Sequence, residues 1–217
     1  MNFGKTIAID GQDLGEVALA TPVEFCQPEI EFLERLKAND AAAFDELVTR
    51  FSGDIYGLLV SLTSDVEEAR DLTQETFLRV VRSVKSFRGD SSLKTWLYRI
   101  AINQARNRNR WWRSRKLGFT FSLDAENETD AISLHETLAD GRQQSPEDAA
   151  LQHEQETLIR AGLKKIPQAF REAVILRDIE GLSYEEIAAA LETNVGTVKS
   201  RIARGRLELK NILHRSL

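Results

Sequence analysis

Apolar residues recur every three or four positions through most of this 217-residue chain, a spacing that a helix turns into one buried face and a strand cannot. From Ala41 to Leu62 the set Phe44, Leu47, Val48, Phe51, Ile55, Leu58, Leu59 and Leu62 falls on one side of a predicted helix, with Asp40 placed as its N-cap. Ser64 followed by Glu67 has the form of a capping box, and Val66, Ala69, Leu72, Phe77, Val80, Val81 and Val84 continue the period behind it. The run Arg88-Gly89-Asp90-Ser91-Ser92 is turn chemistry, because glycine enters positive φ freely and Asp or Ser can cap the next helix. Leu93, Trp96, Leu97, Ile100 and Ala101 then resume helical spacing. With a shorter helix around Ile30, Leu33 and Leu36, these segments predict an N-terminal helical domain over residues 29–115, behind an extension of residues 1–28.

The pattern breaks where Leu117, Phe119, Phe121 and Leu123 alternate and acids, Asn, Thr and Gly then accumulate, which reads as a flexible acidic linker over residues 116–144 with an extended start. Ser145-Pro146-Glu147-Asp148 combines an N-cap, a proline suited to the first turn and acids at the positive end of the helix dipole, so a second domain is expected over residues 145–217. Within it Pro167 marks a helix start, Gly181 a stop, and Ser183 with Glu186 another capping box. The fold class expected is therefore all-α, two small helical domains joined by the linker.

Several function classes are excluded on composition. Hydrophobic residues at 42% and charged residues at 29% predict a soluble globular chain. Apolar runs such as Ile55–Leu62 are far shorter than the roughly 20 residues that span a bilayer, so no membrane insertion is expected. Cys26 has no second cysteine to pair with, and the first residues do not read as a secretory leader, which points to a cytoplasmic location. Cys26, His135, His153 and His214 lack ligand-like spacing, so no metal or cofactor is expected. No glycine-rich phosphate loop and no nucleophile–base set is nominated by spacing, which argues against an enzyme with a small-molecule substrate.

Charge is strongly partitioned beneath a formal net of -5. Residues 1–78 carry net -11, residues 79–116 net +11, residues 117–158 net -9, and residues 197–217 net +5. Two basic blocks separated by an acidic one suggest two separate contacts with a polyanion, since clustered Lys and Arg gain affinity for nucleic acid by releasing condensed counterions. The two blocks differ in kind. Leu182 to Arg201 has the grammar of a helix-turn-helix, and projection of its second helix at 100° per residue buries Val198, Ile202, Gly205 and Leu209. Gly196, Lys199, Ser200, Ala203 and Arg204 face outward, a small and basic surface suited to a major groove. In residues 87–115, Phe87, Trp96, Tyr98, Trp111 and Trp112 are interleaved with arginines, which suits unpaired bases that stack on aromatic faces. Trp96 shares the register of Leu93, Leu97 and Ile100 and is also a candidate for the core, while Trp111 and Trp112 cannot both face one core.

Three motifs, in order, carry a resemblance: Asp71-Leu72-Thr73-Gln74-Glu75-Thr76-Phe77, the segment from Phe87 to Asn103, and Gly181-Leu182-Ser183-Tyr184-Glu185-Glu186-Ile187-Ala188 with Val195 to Arg201. Over residues 29–214 the chain resembles the extracytoplasmic-function sigma factors of bacterial RNA polymerase, without room for the extra domain of their larger relatives. The resemblance implies a promoter-specificity subunit with core RNA polymerase and promoter DNA, duplex and melted, as partners, commonly held inactive by an anti-sigma protein. It gives Asp71, Gln74 and Glu75 the contact with the polymerase clamp helices. It places Phe87, Arg88, Ser91, Ser92, Asn103, Arg106 and Arg110 at the minus-10 element, where a flipped base is captured. Tyr184, Thr197, Lys199, Ser200, Arg201, Arg204 and Arg206 fall at the minus-35 element, and the linker takes the place of a segment that threads the RNA exit path. A conventional helix-turn-helix regulator that binds duplex DNA without polymerase is the alternative; it leaves the Asp71–Phe77 motif without a role.

Overall fold

Asp40 accepts a hydrogen bond from the Ala42 amide at 2.9 Å and so starts the longest of the early helices where the sequence places it. The same carboxylate takes the Arg35 guanidinium at 2.8 Å, which pins the short first helix to the second. The computed structural model describes residues 26–116 and 157–215. Among these, α1 spans Gln27–Lys37, α2 Ala41–Thr63, α3 Val66–Ser83 and α4 Leu93–Lys116; residues 157–165 form α5, followed by α6 (Gln168–Val174), α7 (Tyr184–Leu191) and α8 (Val195–His214). The described residues contain no strand, in agreement with the all-α expectation. Most of the N-terminal extension, the alternating start of the linker, the Ser145-Pro146 helix start, His135 and His153 lie outside the described residues.

The turn between α2 and α3 sits one residue later than the sequence suggests. Ser64 adopts a left-handed conformation at φ 55° and closes α2 through its N–H to the Val60 carbonyl, so it cannot also hold the extended backbone of an N-cap. Asp65 takes that role and accepts from the Glu68 amide at 2.9 Å, a charged acceptor at the positive end of α3. Two valines leave the expected stripe. Val48 follows Leu47 and Val81 follows Val80, each about 100° round the helix from a fully buried neighbour, and they are 42% and 45% exposed.

α2, α3 and α4 pack as a three-helix layer around Leu47, Ile55, Leu58, Leu59, Leu72, Leu97 and Ile102, with α1 laid against α2. The second half is built on Ile175, Leu176, Ile187, Val198 and Ile202. After α6 the chain continues as a π-helical turn, Ile175–Ile179, whose wider loop is seen in the Glu180 N–H bonding to the Ile175 carbonyl at 3.0 Å. Gly181, at φ 70°, then ends the run as the sequence predicts. The two halves do not stand apart: α4 packs against α7, the π-helical turn reaches α2, and the buried side chains of both halves form one continuous cluster.

α8 crosses α6 closely at Gly205, where an added Cβ would meet Val174 Cγ2 at 2.7 Å and the Phe170 carbonyl at 3.2 Å. Gly57, inside α2, has open space around the same position. Gly205→Val is expected to overpack the crossing and cost about 2–3 kcal/mol, whereas Gly57→Ala gains helix propensity of about 0.5–1 kcal/mol. Urea unfolding of the two variants checks the pair of opposite signs.

Candidate nucleic-acid interface

Ser92 is the cap on which the basic helix hangs: its Oγ accepts from the Thr95 amide at 3.1 Å and lies 2.8 Å from the Thr95 hydroxyl. From that cap, Asn103, Arg106 and Arg110 recur at positions that differ by no more than about 60° round the helix axis, a stripe roughly 27 Å long at 1.5 Å per residue. The loop residues Arg88 and Ser91 sit at its start, Arg88 exposed and paired with Asp90 at 3.0 Å. The expected minus-10 residues are thus brought into one line, with one exception. Phe87 is only 5% exposed and packs against Trp96, ring centroids 5.1 Å apart, so its ring supports the loop from below and offers no face to a base. Tyr98 is likewise fully buried, and Trp96 is core. The aromatic surface that remains is Trp111 and Trp112, 43% and 48% exposed and stacked edge to face, with the Arg115 guanidinium 3.9 Å above Trp111.

Part of the stripe is covered by the second half. Arg106 donates to both carboxylate oxygens of Glu172, at 2.6 to 3.2 Å, and Glu172 retains only 3% side-chain exposure. Gln168 donates to the same carboxylate at 2.9 Å, and the Asn103 side-chain oxygen accepts from Arg106 at 3.5 Å. Nearer the N-terminus of α4, the Tyr98 hydroxyl donates to Glu180 at 2.5 Å, and Arg99 lies 3.7 Å from Glu192. Hydrogen bonding to Glu172 holds the Arg106 guanidinium above its ordinary pKa against the opposing effect of burial.

The helix-turn-helix is α7 and α8. Ser183 and Glu186 form the capping box, Glu192 turns the chain at φ 53°, and Asn194 caps α8 by accepting from the Thr197 amide at 2.7 Å. Val198, Ile202 and Gly205 are buried, while Gly196, Lys199, Ser200, Ala203 and Arg204 are exposed, as the projection requires. Tyr184 is half-buried between two cations, Arg177 at 4.9 Å and Lys199 at 5.5 Å from its ring. Thr197 and Arg201 are half-buried. Arg206 differs from its expected neighbours because Asp178 of the π-helical turn already takes its Nε at 3.0 Å and its Nη2, tying α8 back to the end of α6.

On α3 Asp71, Gln74 and Glu75 are exposed on one flank. Glu75 is bound by Arg108 of α4 at 2.8 Å, so the acidic flank and the basic helix meet edge to edge. Glu68, one turn before Asp71, has its carboxyl raised above the usual range chiefly by burial, with Asp65 adding to the rise and Arg108 and Trp112 opposing it. Among the described residues no cluster of His, Cys, Asp or Glu could hold a metal ion, and no helix is long and apolar enough to cross a membrane.

This arrangement has known counterparts. The Sigma-70 region 2 family model matches residues 47–116, and the Sigma-70, region 4 model matches residues 157–209. The RNA polymerase sigma-H factor of Pseudomonas aeruginosa is 40% identical over 178 residues, covering 81% of this chain and 89% of that protein. This chain belongs to the extracytoplasmic-function branch of the sigma-70 family. The ECF RNA polymerase sigma-E factor of Haemophilus influenzae is 37% identical over 180 residues, 82% of this chain and 92% of that one. Among solved structures, the sigma factor RpoE of Bartonella quintana, in complex with the anti-sigma factor NepR, aligns with a TM-score of 0.55 at 28% identity, covering 79% of this chain and 96% of that one. The chain is an alternative sigma factor directing transcription initiation, with core RNA polymerase and promoter DNA as partners.

What the sequence does not signal in this sigma factor is the seam. Glu172 and Glu180 lie 66 and 82 residues from Arg106 and Tyr98, and no spacing rule joins residues so far apart. A hint is present only in Glu172, a lone carboxylate running straight into the apolar Ala173-Val174-Ile175-Leu176.

Burial pushes the Glu180 carboxyl above its ordinary value of 4.5; the Tyr98 hydroxyl and Lys94 pull it back, and Asp54 of α2 adds to the rise. A folded pKa above the unfolded one means that the packed state holds the proton more tightly. Glu180 therefore contributes fully at pH below about 4.5 and loses that contribution as pH rises through the raised folded value. Glu180→Gln retains an oxygen for Tyr98 and is expected to flatten the decline of stability above pH 4.5 relative to the parent sigma factor. Urea unfolding midpoints of both chains across that range decide it; parallel curves would exclude Glu180 as the titrating group.

Proposed function

We propose that residues 29–115 bind core polymerase and capture a flipped base of the minus-10 element, while residues 145–217 read the minus-35 element as duplex, the two joined by a linker over residues 116–144. The observation that carries this reading is the split of α8 into a buried side, Val198, Ile202 and Gly205, and an exposed side, Lys199, Ser200 and Arg204, behind a capped helix of a helix-turn-helix. Arg204 and Lys199 reach base edges or phosphates, and Tyr184, Thr197 and Arg201 position the helix on the backbone. Arg206 serves as a phosphate partner once Asp178 releases it.

At the other element the loop of Arg88, Ser91 and Ser92 opens the stripe. Beside it lies a cavity of about 140 Å³, lined by apolar Phe32, Leu33, Phe51 and Leu93 and by polar Glu29, Arg50, Ser92 and Lys94, a size that suits one nucleobase. Asn103, Arg106 and Arg110 follow the strand along α4, and Asn103 offers both a donor and an acceptor to a base edge. Asp71, Gln74 and Glu75 present acids and an amide to a basic partner surface, which fits the polymerase clamp. The protein does no covalent chemistry of its own and works in the cytoplasm. The Bartonella quintana relative is held by an anti-sigma factor; an anti-sigma partner is proposed for this chain on that likeness.

Elements centred near minus-35 and minus-10 lie on the order of 80 Å apart at 3.4 Å per base pair. Arg106 cannot reach DNA while bound to Glu172, so reading both elements requires the two halves to separate. Transcription with purified bacterial core polymerase on a library of upstream sequences tests the reading: start sites that depend on this chain and share a paired upstream motif are expected. Arg204→Ala is expected to weaken duplex recognition by about 1–3 kcal/mol, while Asn103→Ala leaves closed-complex binding intact and reduces strand opening. Footprinting and permanganate reactivity on the same promoter separate the two steps; equal loss of duplex binding in both variants would overturn the division of labour. Tight duplex binding by the chain alone, with no initiation, would favour the conventional regulator.

A further inference from the structure

A cavity of about 360 Å³ opens at the seam between the two halves, lined by Arg106, Arg110 and Arg113 of α4, Gln168 and Glu172 of α6, and Arg201 of α8. Its charge is unbalanced. Among the described residues the one carboxylate in the wall is Glu172, already engaged by Arg106 and Gln168. Among the described residues, Arg110, Arg113 and Arg201 have no carboxylate at salt-bridge distance. Next to Glu172, Arg171 is half-buried and its Nε has no acceptor among the described residues; burial disfavours its charge, Glu172 offsets part of that, and Arg113 adds a smaller repulsion. Like charges gathered at one open site repel one another, and a bound anion would relieve that repulsion.

The geometry limits which anion. Arg106, Arg110 and Arg113 succeed one another along α4, the first and last about 10 Å apart at 1.5 Å per residue. A single phosphate touches one or two guanidinium groups; a row of linked phosphates can meet Arg110 and Arg113 in turn and reach Arg201, which also lines the cavity, while Arg106 stays on Glu172. Guanidinium is the side chain whose fork matches phosphate oxygens in pairs. The volume equals roughly a dozen waters at about 30 Å³ each, enough for a short phosphate chain and too small for a duplex.

We propose that this cavity is a binding site for a linear oligophosphate, the phosphate chain of an inorganic polyphosphate or of a nucleoside polyphosphate. Because its walls come from both halves, the bound chain bridges α4 to α6 and α8 and holds them in the packed arrangement. The site engages Arg110 and Arg201 in a different partnership from the one proposed for them on DNA, and it is assayed without polymerase or promoter, so its outcome and that of the promoter reading are separable.

The test is calorimetric titration of the full chain with sodium tripolyphosphate at fixed ionic strength, with orthophosphate and sodium chloride as comparisons and ATP and GTP as further arms. One tripolyphosphate per chain is expected, at least tenfold tighter than orthophosphate, with a rise in melting temperature that chloride at equal ionic strength does not give. Affinity for ATP or GTP tenfold above tripolyphosphate assigns the site to a nucleotide, and equal or weaker affinity assigns it to inorganic chains. The double variant Arg110→Gln, Arg113→Gln is expected to lose at least tenfold, whereas Arg79→Gln, Arg82→Gln, which removes the same charge from α3, loses less than twofold. Equal loss in the two double variants, several weak sites per chain, or binding of short DNA without binding of tripolyphosphate would overturn the proposal.

Discussion

Glu172 is almost wholly removed from water, and a bare carboxylate in that position would be intolerable. Arg106 makes it tolerable by donating to both oxygens, and Gln168 takes a further share. Removal of one member of such a buried pair typically costs about 3–5 kcal/mol, because the survivor is left charged and unpartnered. Among the described residues this is the most buried ion pair, and the other polar contacts of the seam line up beside it. It fixes α6 against α4, the π-helical turn then brings Glu180 to Tyr98, and α7 settles on the remaining face of α4. None of these contacts lies within a half, so the polar seam borders the one continuous apolar cluster that both halves share.

The same guanidinium is claimed twice. In the packed arrangement Arg106 neutralises Glu172, and on a promoter it would neutralise a phosphate. An arginine exchanging one oxyanion for another loses little, but the glutamate it leaves must find water, so separation of the halves hydrates Glu172 as it frees Arg106. In the proposed reading, the electrostatic cost of opening would be met by solvent reaching the carboxylate, and the gain would come from the DNA. Glu75 and Arg108 repeat the pattern at smaller scale between α3 and α4, where exposure makes the exchange cheaper.

Helices are legible because their signals are local. Asp40, Ser183 with Glu186, and Gly181 act within four residues of their own position, and the structure places each where the sequence does. The slip at Ser64 arises because two adjacent residues could each cap α3, and the choice between them depends on which one α2 needs for its own end. The outward face of α8 is equally readable, since burial of Val198 and Ile202 fixes where Lys199 and Arg204 point. Phe87 and Tyr98 read in sequence as aromatic faces for bases, and the structure buries both. Periodicity places a ring on a helix but does not reveal that another helix covers it, and Tyr98 is covered partly by a segment 82 residues away. Arg206 belongs to the same class: its charge is evident, and its partner Asp178 is a fact of tertiary packing.

The π-helical turn at Ile175–Ile179 gives the seam a dependence on residue count. Relative to a regular helix of the same axial reach, a π turn accommodates one additional residue, and each residue in a helix carries the chain about 100° round the axis. Glu172 lies before this turn and Glu180 after it, and both must face α4. The widened turn therefore works as a phase adjuster between two contacts on one partner helix. Substitutions within it can alter packing and leave that phase intact, whereas loss or gain of a single residue would aim one of the two carboxylates away from α4. In this stretch the geometry constrains the length of the chain more tightly than the identity of its side chains.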